Sequence, residues 1–455
     1  MQIIPQGTSK LLTALIMATL PSLGAADSLS DIYQSALQND PLIRAARAKM
    51  QANLETDNIA RAALLPQLAI SAEKTDGESD ELKRIGVIGE STSEETRYGI
   101  SLSQALFDLS AWYQFQGGKA LSASASAQFA ADQQRSIMRI SQAYLNVLRA
   151  FDNRETRSAE QRAIEQRLQQ TKERFEVGLV AITEVHEAQS FFDNALVNSL
   201  EAEGALNIAF DGLEVLTGST HNVLSGLADS FEATAPTAAS SQDWVNLALN
   251  HNFQLRVAEL GKDAAYSQAR AAAMARLPKV TGTASYFESE SDFDHSGNAL
   301  NAYNSELEGH QFKLTLSMPL WLGGGVDASR RQARQQAIQS EENFIATQRN
   351  TAQSARSQHQ LTVTNGARVK ARKQSITSAD SALKAVQAGY EVGTRTIIDV
   401  LEAQRTLYQA QRNYANARYD FILSMMGLKE IAGQLSPEDI YQLNAQLDPQ
   451  NVISR

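Results

Sequence analysis

Glu176-Val177-Gly178 returns as Glu391-Val392-Gly393, 215 residues further on, and each triplet closes a long stretch poor in glycine and proline. Working outward, Ala36-Leu37 returns as Ala248-Leu249 and Pro66 as Pro278, both 212 apart, while Ser101-Leu102-Ser103 returns as Thr315-Leu316-Ser317, 214 apart. The register drifts by three residues over the unit, so insertions between the halves are confined to a few loops. A period this long is two copies of one supersecondary assembly, unlike the short units of solenoids.

The breakers draw the unit. Between Gly118 and Gly178 there is neither glycine nor proline, and the composition is rich in Ala, Gln, Arg, Glu and Leu, which reads as one helix. Taken over 110–176 it would extend ~100 Å at 1.5 Å per residue. Its counterpart is expected over 326–389, and from Val326 to Ala388 only Gly366 interrupts it. Shorter helices are expected at 28–62 and 184–217 in the first half and at 243–275 and 397–428 in the second. Those that follow the long helices carry a 3,4 stripe: Val185, Ala188, Phe192, Ala195, Ser199, Ala202 and Leu206 in one, Val400, Ala403, Leu407, Ala410, Tyr414, Ala417 and Phe421 in the other. That period favours left-handed coiled-coil packing. Alone, the stripes fit an ordinary soluble coiled coil equally well.

The strands decide between these. Leu68, Ile70 and Ala72 alternate with Gln67, Ala69 and Ser71, and Tyr98, Ile100 and Leu102 with Gly99, Ser101 and Ser103. In the second half Val280, Ala284 and Tyr286 alternate with Lys279, Thr283 and Ser285, and Phe312, Leu314, Leu316 and Met318 with Lys313, Thr315 and Ser317. Period-two alternation of this kind, placed at 66–76, 97–107, 279–288 and 311–320, fits transmembrane strands lining an aqueous lumen. Four strands cannot close a barrel, and open edges are not tolerated in lipid, so three copies giving twelve strands are expected. Phe107, Trp112, Tyr113 and Trp321 are placed as an interfacial aromatic belt would be. The Asp-, Glu- and Ser-rich connections 76–97 and 288–310 read as external loops.

The expected division is a first repeat over 27–217, a linker over 218–242, a second repeat over 243–432 and a tail over 433–455, linker and tail forming a belt around the middle of the helical tube. Residues 1–26 read as a secretory signal: Lys10, an apolar core from Leu11 to Leu20, and Gly24-Ala25-Ala26 before the cut. Such a core is too short to span a bilayer. No cysteine is present, which removes disulfides, thiolate chemistry and a lipid attachment point. Without Lys10 the 41 basic residues become 40 against 51 acidic ones, a balance unsuited to nucleic acid. The six histidines are scattered, with no HExxH and no phosphate loop. No enzyme activity, metal or cofactor is expected, and the rival to a conduit is a soluble periplasmic coiled-coil adaptor.

Three stretches carry a resemblance. Leu64-Leu65-Pro66-Gln67-Leu68, Gly178-Leu179-Val180-Ala181-Ile182-Thr183, and the long run from Tyr390-Glu391-Val392-Gly393-Thr394-Arg395 through Thr396-Ile397-Ile398-Asp399-Val400-Leu401 are similar to the TolC-type outer-membrane efflux proteins over essentially the whole mature length. The resemblance implies a homotrimer: a twelve-stranded β-barrel in the outer membrane of a Gram-negative bacterium, continuous with a periplasmic α-barrel. It also implies a periplasmic adaptor and an inner-membrane pump or ABC secretion transporter as partners. The function implied is an exit duct for efflux or type I protein secretion.

The tip of the tube holds the candidate site. Glycines 178 and 393 suit left-handed helix caps. Asp399 and Glu402, three apart on one helix face, would form two stacked acidic rings in a trimer and favour cations, although Thr396 with Asp399 also resembles a capping box. The resemblance places the family's constriction acids at these two positions; Glu402 stands where an aspartate is expected. Arg395 occupies the position of Val180 in the first turn, so the turns are not equivalent. By resemblance, Tyr390 and Arg395 hold the entrance closed through Thr183 and Glu184 on neighbouring helices, and the turns at Gly178, Leu179, Gly393 and Thr394 meet the adaptor.

Overall fold

The computed structural model describes residues 26–80, 90–234, 240–295 and 303–455; the expected signal lies, but for Ala26, outside them. Fifteen elements follow one another among these residues: α1 (Leu29–Asn39), α2 (Pro41–Ala62), β1 (Gln67–Asp80), β2 (Glu90–Phe107), α3 (Leu109–Glu176), α4 (Ile182–Thr217), β3 (Val223–Leu227), α5 (Ser241–His251), α6 (Phe253–Met274), β4 (Lys279–His295), β5 (Tyr303–Ser317), α7 (Gly325–Glu391), α8 (Ile397–Ile431), α9 (Pro437–Asn444) and β6 (Leu447–Ser454). The fold is mainly helical with a duplicated strand, strand, long helix, helix unit.

The first four strands of the repeats form one antiparallel sheet in the order β1-β2-β4-β5. Its register explains the alternation. Leu68 faces Leu102, Leu102 faces Ala284 and Ala284 faces Phe312, so one apolar row crosses all four strands, and Ile70, Ile100 and Tyr286 make the next. That face is open in one protomer: Ile70 is 81% and Phe312 83% exposed. Both outer strands, β1 and β5, present unpaired edges. The strands also run further than the apolar alternation. Pairing continues from Ala72↔Tyr98 to Asp80↔Glu90, and from Tyr286↔His310 to Phe293↔Tyr303, so most of the residues expected as external loops are strand. Thr- and Ser-rich sequence tolerates the pleat, and a cross-strand Lys74–Glu94 ion pair reinforces it.

Two helices expected as continuous are each broken. At 28–62 the break falls at Asp40-Pro41: Pro41 has no N–H and takes the first helical position, while the Asp40 carboxylate accepts from Leu42 N at 2.9 Å. At 243–275 Asn252 breaks the run, its Oδ1 capping Leu255 N at 2.9 Å while its Nδ2 donates to the Ile431 carbonyl. The long helices are unbroken. α7 passes through Gly366, where an added Cβ would stand 3.4 Å from the Phe421 ring of α8; the glycine allows close approach and is no interruption.

α3 packs on α2 and α6 in its sheet-proximal half and on α4 and α8 in its distal half, while α7 meets α5, α6 and α8. The main core sits at the middle of α3, where Ile140, Tyr144, Leu145 and Leu148 meet Leu29 and Ile32 of α1, Leu213 of α4, Tyr419 of α8 and Ile440 of α9. Leu224 and Leu227 of the 218–242 segment and Leu435, Leu447 and Ile453 of the tail meet there too. β3 pairs with β6 in a second, two-stranded sheet, and Tyr144 Oη donates to the Ser225 carbonyl at 2.6 Å. Among the described residues no helix is long and apolar enough to cross a membrane.

Candidate functional site: the helical tips

Both long helices end in the same backbone device. At the first tip Val177 is the C-cap and Gly178 takes φ 75°, with Gly178 N donating to Phe175 O at 2.9 Å and Leu179 N to Arg174 O at 2.8 Å. At the second, Val392 is the C-cap and Gly393 takes φ 78°, with Gly393 N donating to Tyr390 O at 3.1 Å and Thr394 N to Gly389 O at 2.8 Å. A left-handed residue past the helix end satisfies the last carbonyls, and glycine does so without steric cost.

The re-entering helices differ. α8 opens on a complete capping box: Asp399 N donates to Thr396 Oγ1 at 3.3 Å, and Asp399 Oδ2 accepts from Thr396 N at 2.9 Å and from Thr396 Oγ1 at 3.0 Å. These bonds, the backbone one first, hold the Asp399 carboxyl below the usual carboxylate range. Shifting by 215 residues puts Ala181 at the position of Thr396 and Glu184 at that of Asp399. Ala181 has no hydroxyl, and α4 has no side-chain cap. Glu184 is therefore left without the partner its counterpart has.

Thr183 and Arg395 are exposed at the tips, and Glu184 and Tyr390 are half-buried. Arg395 folds its stem back over Gly389, where any Cβ would meet Arg395 Cγ at 2.8 Å. Within the protomer the Tyr390 ring lies under the Arg174 guanidinium of α3, 5.1 Å from its centroid, against a small core of Ile164, Leu168, Ala188, Ala195, Ile397 and Leu401. Asp399 and Glu402 lie one turn apart on α8. Glu402 carries a partner that the acidic motif did not single out: Arg405 Nη2 stands 2.9 Å from Glu402 Oε2, with the two side chains 59% and 44% exposed. The three-residue spacing is a signal already present in the sequence.

Further from the tip, a ladder of ion pairs ties α8 to α3. Arg412 Nη1 lies 2.6 Å from Glu160 Oε2 with both side chains almost fully buried, 4% and 5% exposed, and Arg157 reaches the same oxygen at 3.3 Å. Tyr419 Oη donates to Asp152 Oδ2 at 2.7 Å, and Arg149 meets Asp420 at 2.7 Å. Burial pushes the Asp152 carboxyl up, opposed by the Tyr419 hydroxyl and Arg418. Between α4 and α8, over the α3 face that bears Arg157, Glu160 and Ile164, runs a groove of ≈ 650 Å³ whose α8 wall includes Glu402, Arg405 and Arg412. No sequence spacing announces the Glu160–Arg412 pair, because its members are 252 residues apart. Among the described residues no cluster of three or more His, Cys, Asp or Glu is arranged to hold a metal ion.

An apolar sheet with two open edges at one end of ~100 Å helices defines a class of outer-membrane channel, and a soluble adaptor has no use for it. The fold matches that of the outer membrane protein VceC from Vibrio cholerae, with a TM-score of 0.74 at 20% identity over 89% of this chain and 96% of that one. The outer membrane efflux protein model matches residues 32–219 and 244–434, and the chain belongs to that family. Outer membrane protein TolC of Vibrio cholerae is 35% identical over 441 residues, covering 96% of this chain and 98% of that protein. The alkaline protease secretion protein AprF of Pseudomonas aeruginosa is 28% identical over 417 residues, covering 90% and 85%.

Proposed function

We propose that the chain works as a homotrimeric exit duct in the outer membrane, conducting cargo passively from periplasmic and inner-membrane partners to the outside in efflux, type I protein secretion or both. The observation that carries this reading is the four-stranded sheet whose apolar face and both edges lack partners within the protomer. Three copies supply the missing edges and yield twelve strands. The exposed aromatics Phe107, Trp112 and Trp321 then sit at the inner rim of the bilayer. The linker, α9 and β6 form the belt around the tube. Names among the relatives point to both uses: efflux in the family description and protease secretion in AprF.

Asp399 and Glu402 make two carboxylate rings at the periplasmic bore. The capping role of Asp399 does not compete with this, since an ionised cap keeps its charge. Arg395 and Tyr390 latch the entrance. Arg395 has no ion pair within its protomer among the described residues, and Glu184 lacks a cap partner, so the Arg395–Glu184 contact belongs between protomers. The turns at Gly178, Leu179, Gly393 and Thr394, exposed or nearly so, meet the periplasmic adaptor, and the pump or ABC transporter sits below it.

Mass measurement on detergent-solubilised protein and single-channel recording in planar bilayers test this reading. A trimer that conducts, with cation preference weakened by Asp399→Asn plus Glu402→Gln, is expected. A stable non-conducting monomer would remove the duct. For the latch, Arg395→Ser with Tyr390→Phe is expected to raise conductance at unchanged trimer abundance, and wild-type conductance in that variant and in Glu184→Ala would show that no latch operates.

A further inference from the structure

We infer that Arg405 is a specificity-determining residue of the bore: its guanidinium cancels one of the two carboxylate charges that each α8 helix places there, so the constriction carries about half the negative charge its acidic motif implies. The inference rests on the reading of Asp399 and Glu402 as bore-lining rings.

The geometry is local and simple. Arg405 Nη2 is 2.9 Å from Glu402 Oε2, and both side chains are open to solvent in the protomer. Along α8 the three residues follow at steps of three, so neighbouring charges are separated by about 4.5 Å of axial rise. That is well inside the screening length of ~8 Å at physiological ionic strength. An ion level with Glu402, about 4.5 Å along the axis from either neighbour, therefore senses all three groups together. Two carboxylates and one guanidinium leave a single net negative charge per protomer, and three in a trimer in place of six.

The groups behind α8 do not restore the missing charge. Glu160, the remaining carboxylate in the groove, is buried and held by both Arg412 and Arg157. The groove wall counts three arginines, Arg157, Arg405 and Arg412, against two glutamates, Glu160 and Glu402. Moving inward from the tip, the lining thus changes from acidic at Asp399 to balanced at Glu402 and Arg405, and the buried Glu160, held by Arg412 and Arg157, adds no further negative charge. A cation favoured at the entrance therefore meets no second net-acidic ring among these groups.

An exposed pair of this kind contributes little to folding, so its removal leaves the trimer intact and the effect is read in ion selectivity alone. The test uses four variants of the full-length trimer in neutral phosphatidylcholine bilayers: Arg405→Gln, Glu402→Gln, the Glu402→Gln/Arg405→Gln double, and Asp399→Asn. Reversal potentials in a KCl gradient and block by periplasmic-side LaCl₃ are recorded for each. Arg405→Gln is expected to raise cation over anion preference and to tighten lanthanum block by about tenfold, as three cations are withdrawn from near a trivalent ion. Glu402→Gln is expected to abolish most of the preference. The double variant, which restores the wild-type net charge, is expected to return to wild-type selectivity. If Asp399→Asn weakens the preference while Arg405→Gln leaves it and the block unchanged, the acidic ring stands and Arg405 has no part in it. A double variant that tracks Glu402→Gln would equally overturn the charge-balance role. If all four variants match wild type, the ring itself is absent and this inference falls with it.

Discussion

The two tip turns share a backbone and differ in how the next helix starts. Gly178 and Gly393 take the same left-handed conformation, yet α8 begins with a capping box and α4 with an alanine that cannot cap. The same contrast continues inward. α8 is tied to α3 by the buried Arg412–Glu160 pair and the Tyr419–Asp152 hydrogen bond, whereas the tip-proximal part of α4 buries the small residues Ala188, Ala195 and Ala202, and its large apolar residues Leu206, Phe210 and Leu213 come only nearer the main core. Duplication kept the backbone, and side-chain divergence gave one tip a capping box backed by a buried ion pair and the other an uncapped start backed by small-residue packing.

The largest break in this contrast is expected from Arg412→Ala. It leaves the buried Glu160 carboxylate with only the longer Arg157 contact, and removing one partner of a buried pair costs up to about 3–5 kcal/mol. Thermal unfolding of the solubilised protein should fall markedly, while Arg405→Ala at the exposed pair should change stability by no more than about 1 kcal/mol. Equal losses for the two would deny that burial distinguishes them.

Next in size are the glycines. Gly178→Ala and Gly393→Ala each force a Cβ into the left-handed region, at a cost of about 1–2 kcal/mol. The two losses should match, since the backbone is shared; a loss confined to one tip would make the turns different in backbone as well as in caps.

The caps sharpen the comparison directly. Thr396→Ala should cost about 1 kcal/mol, and Ala181→Thr should return a similar amount to α4 by building the absent box with Glu184. Hydrogen exchange in the first turns of α8 and α4 reports both, and an unresponsive α4 would show that Glu184 is already engaged across protomers.

The smallest effect is in pH. The folded Asp399 carboxyl titrates below its unfolded value, so its contribution is present above the ordinary carboxylate pKa of ~3.9 and lost as pH falls through the folded value. Amides at the start of α8 should lose protection in that acid window. Asp152 behaves oppositely: its folded carboxyl titrates above the unfolded value, so its contribution weakens as pH rises from ~3.9 through the folded pKa. Asp152→Asn, which keeps an acceptor for Tyr419, should flatten that slope.

Much of this was legible in the sequence. The 215-residue repeat located both tips, and the spacing of Thr396 to Asp399 announced the box before the geometry did. The break at Asp40-Pro41 was readable from proline at the first helical position, whereas the one at Asn252 has no proline, only an amide whose capping role depends on α8 contributing the Ile431 carbonyl. Strand length was understated because the outer halves of β1, β2, β4 and β5 lose their apolar alternation while keeping their pairing. The buried ladder was invisible for a different reason: Glu160 and Arg412 look like ordinary helix-surface charges, and only the packing of α8 on α3 brings them together.

α3 runs without a break from the sheet to the tip, and its firmest hold is the core around Tyr144. From there to Glu176 the helix projects about 48 Å at 1.5 Å per residue. It is in effect a lever arm pivoted at that core. A tilt of only about 5° there displaces the tip by about 4 Å over that length, so repacking too slight to disturb the core is magnified into a change comparable to the width of a side chain at the entrance.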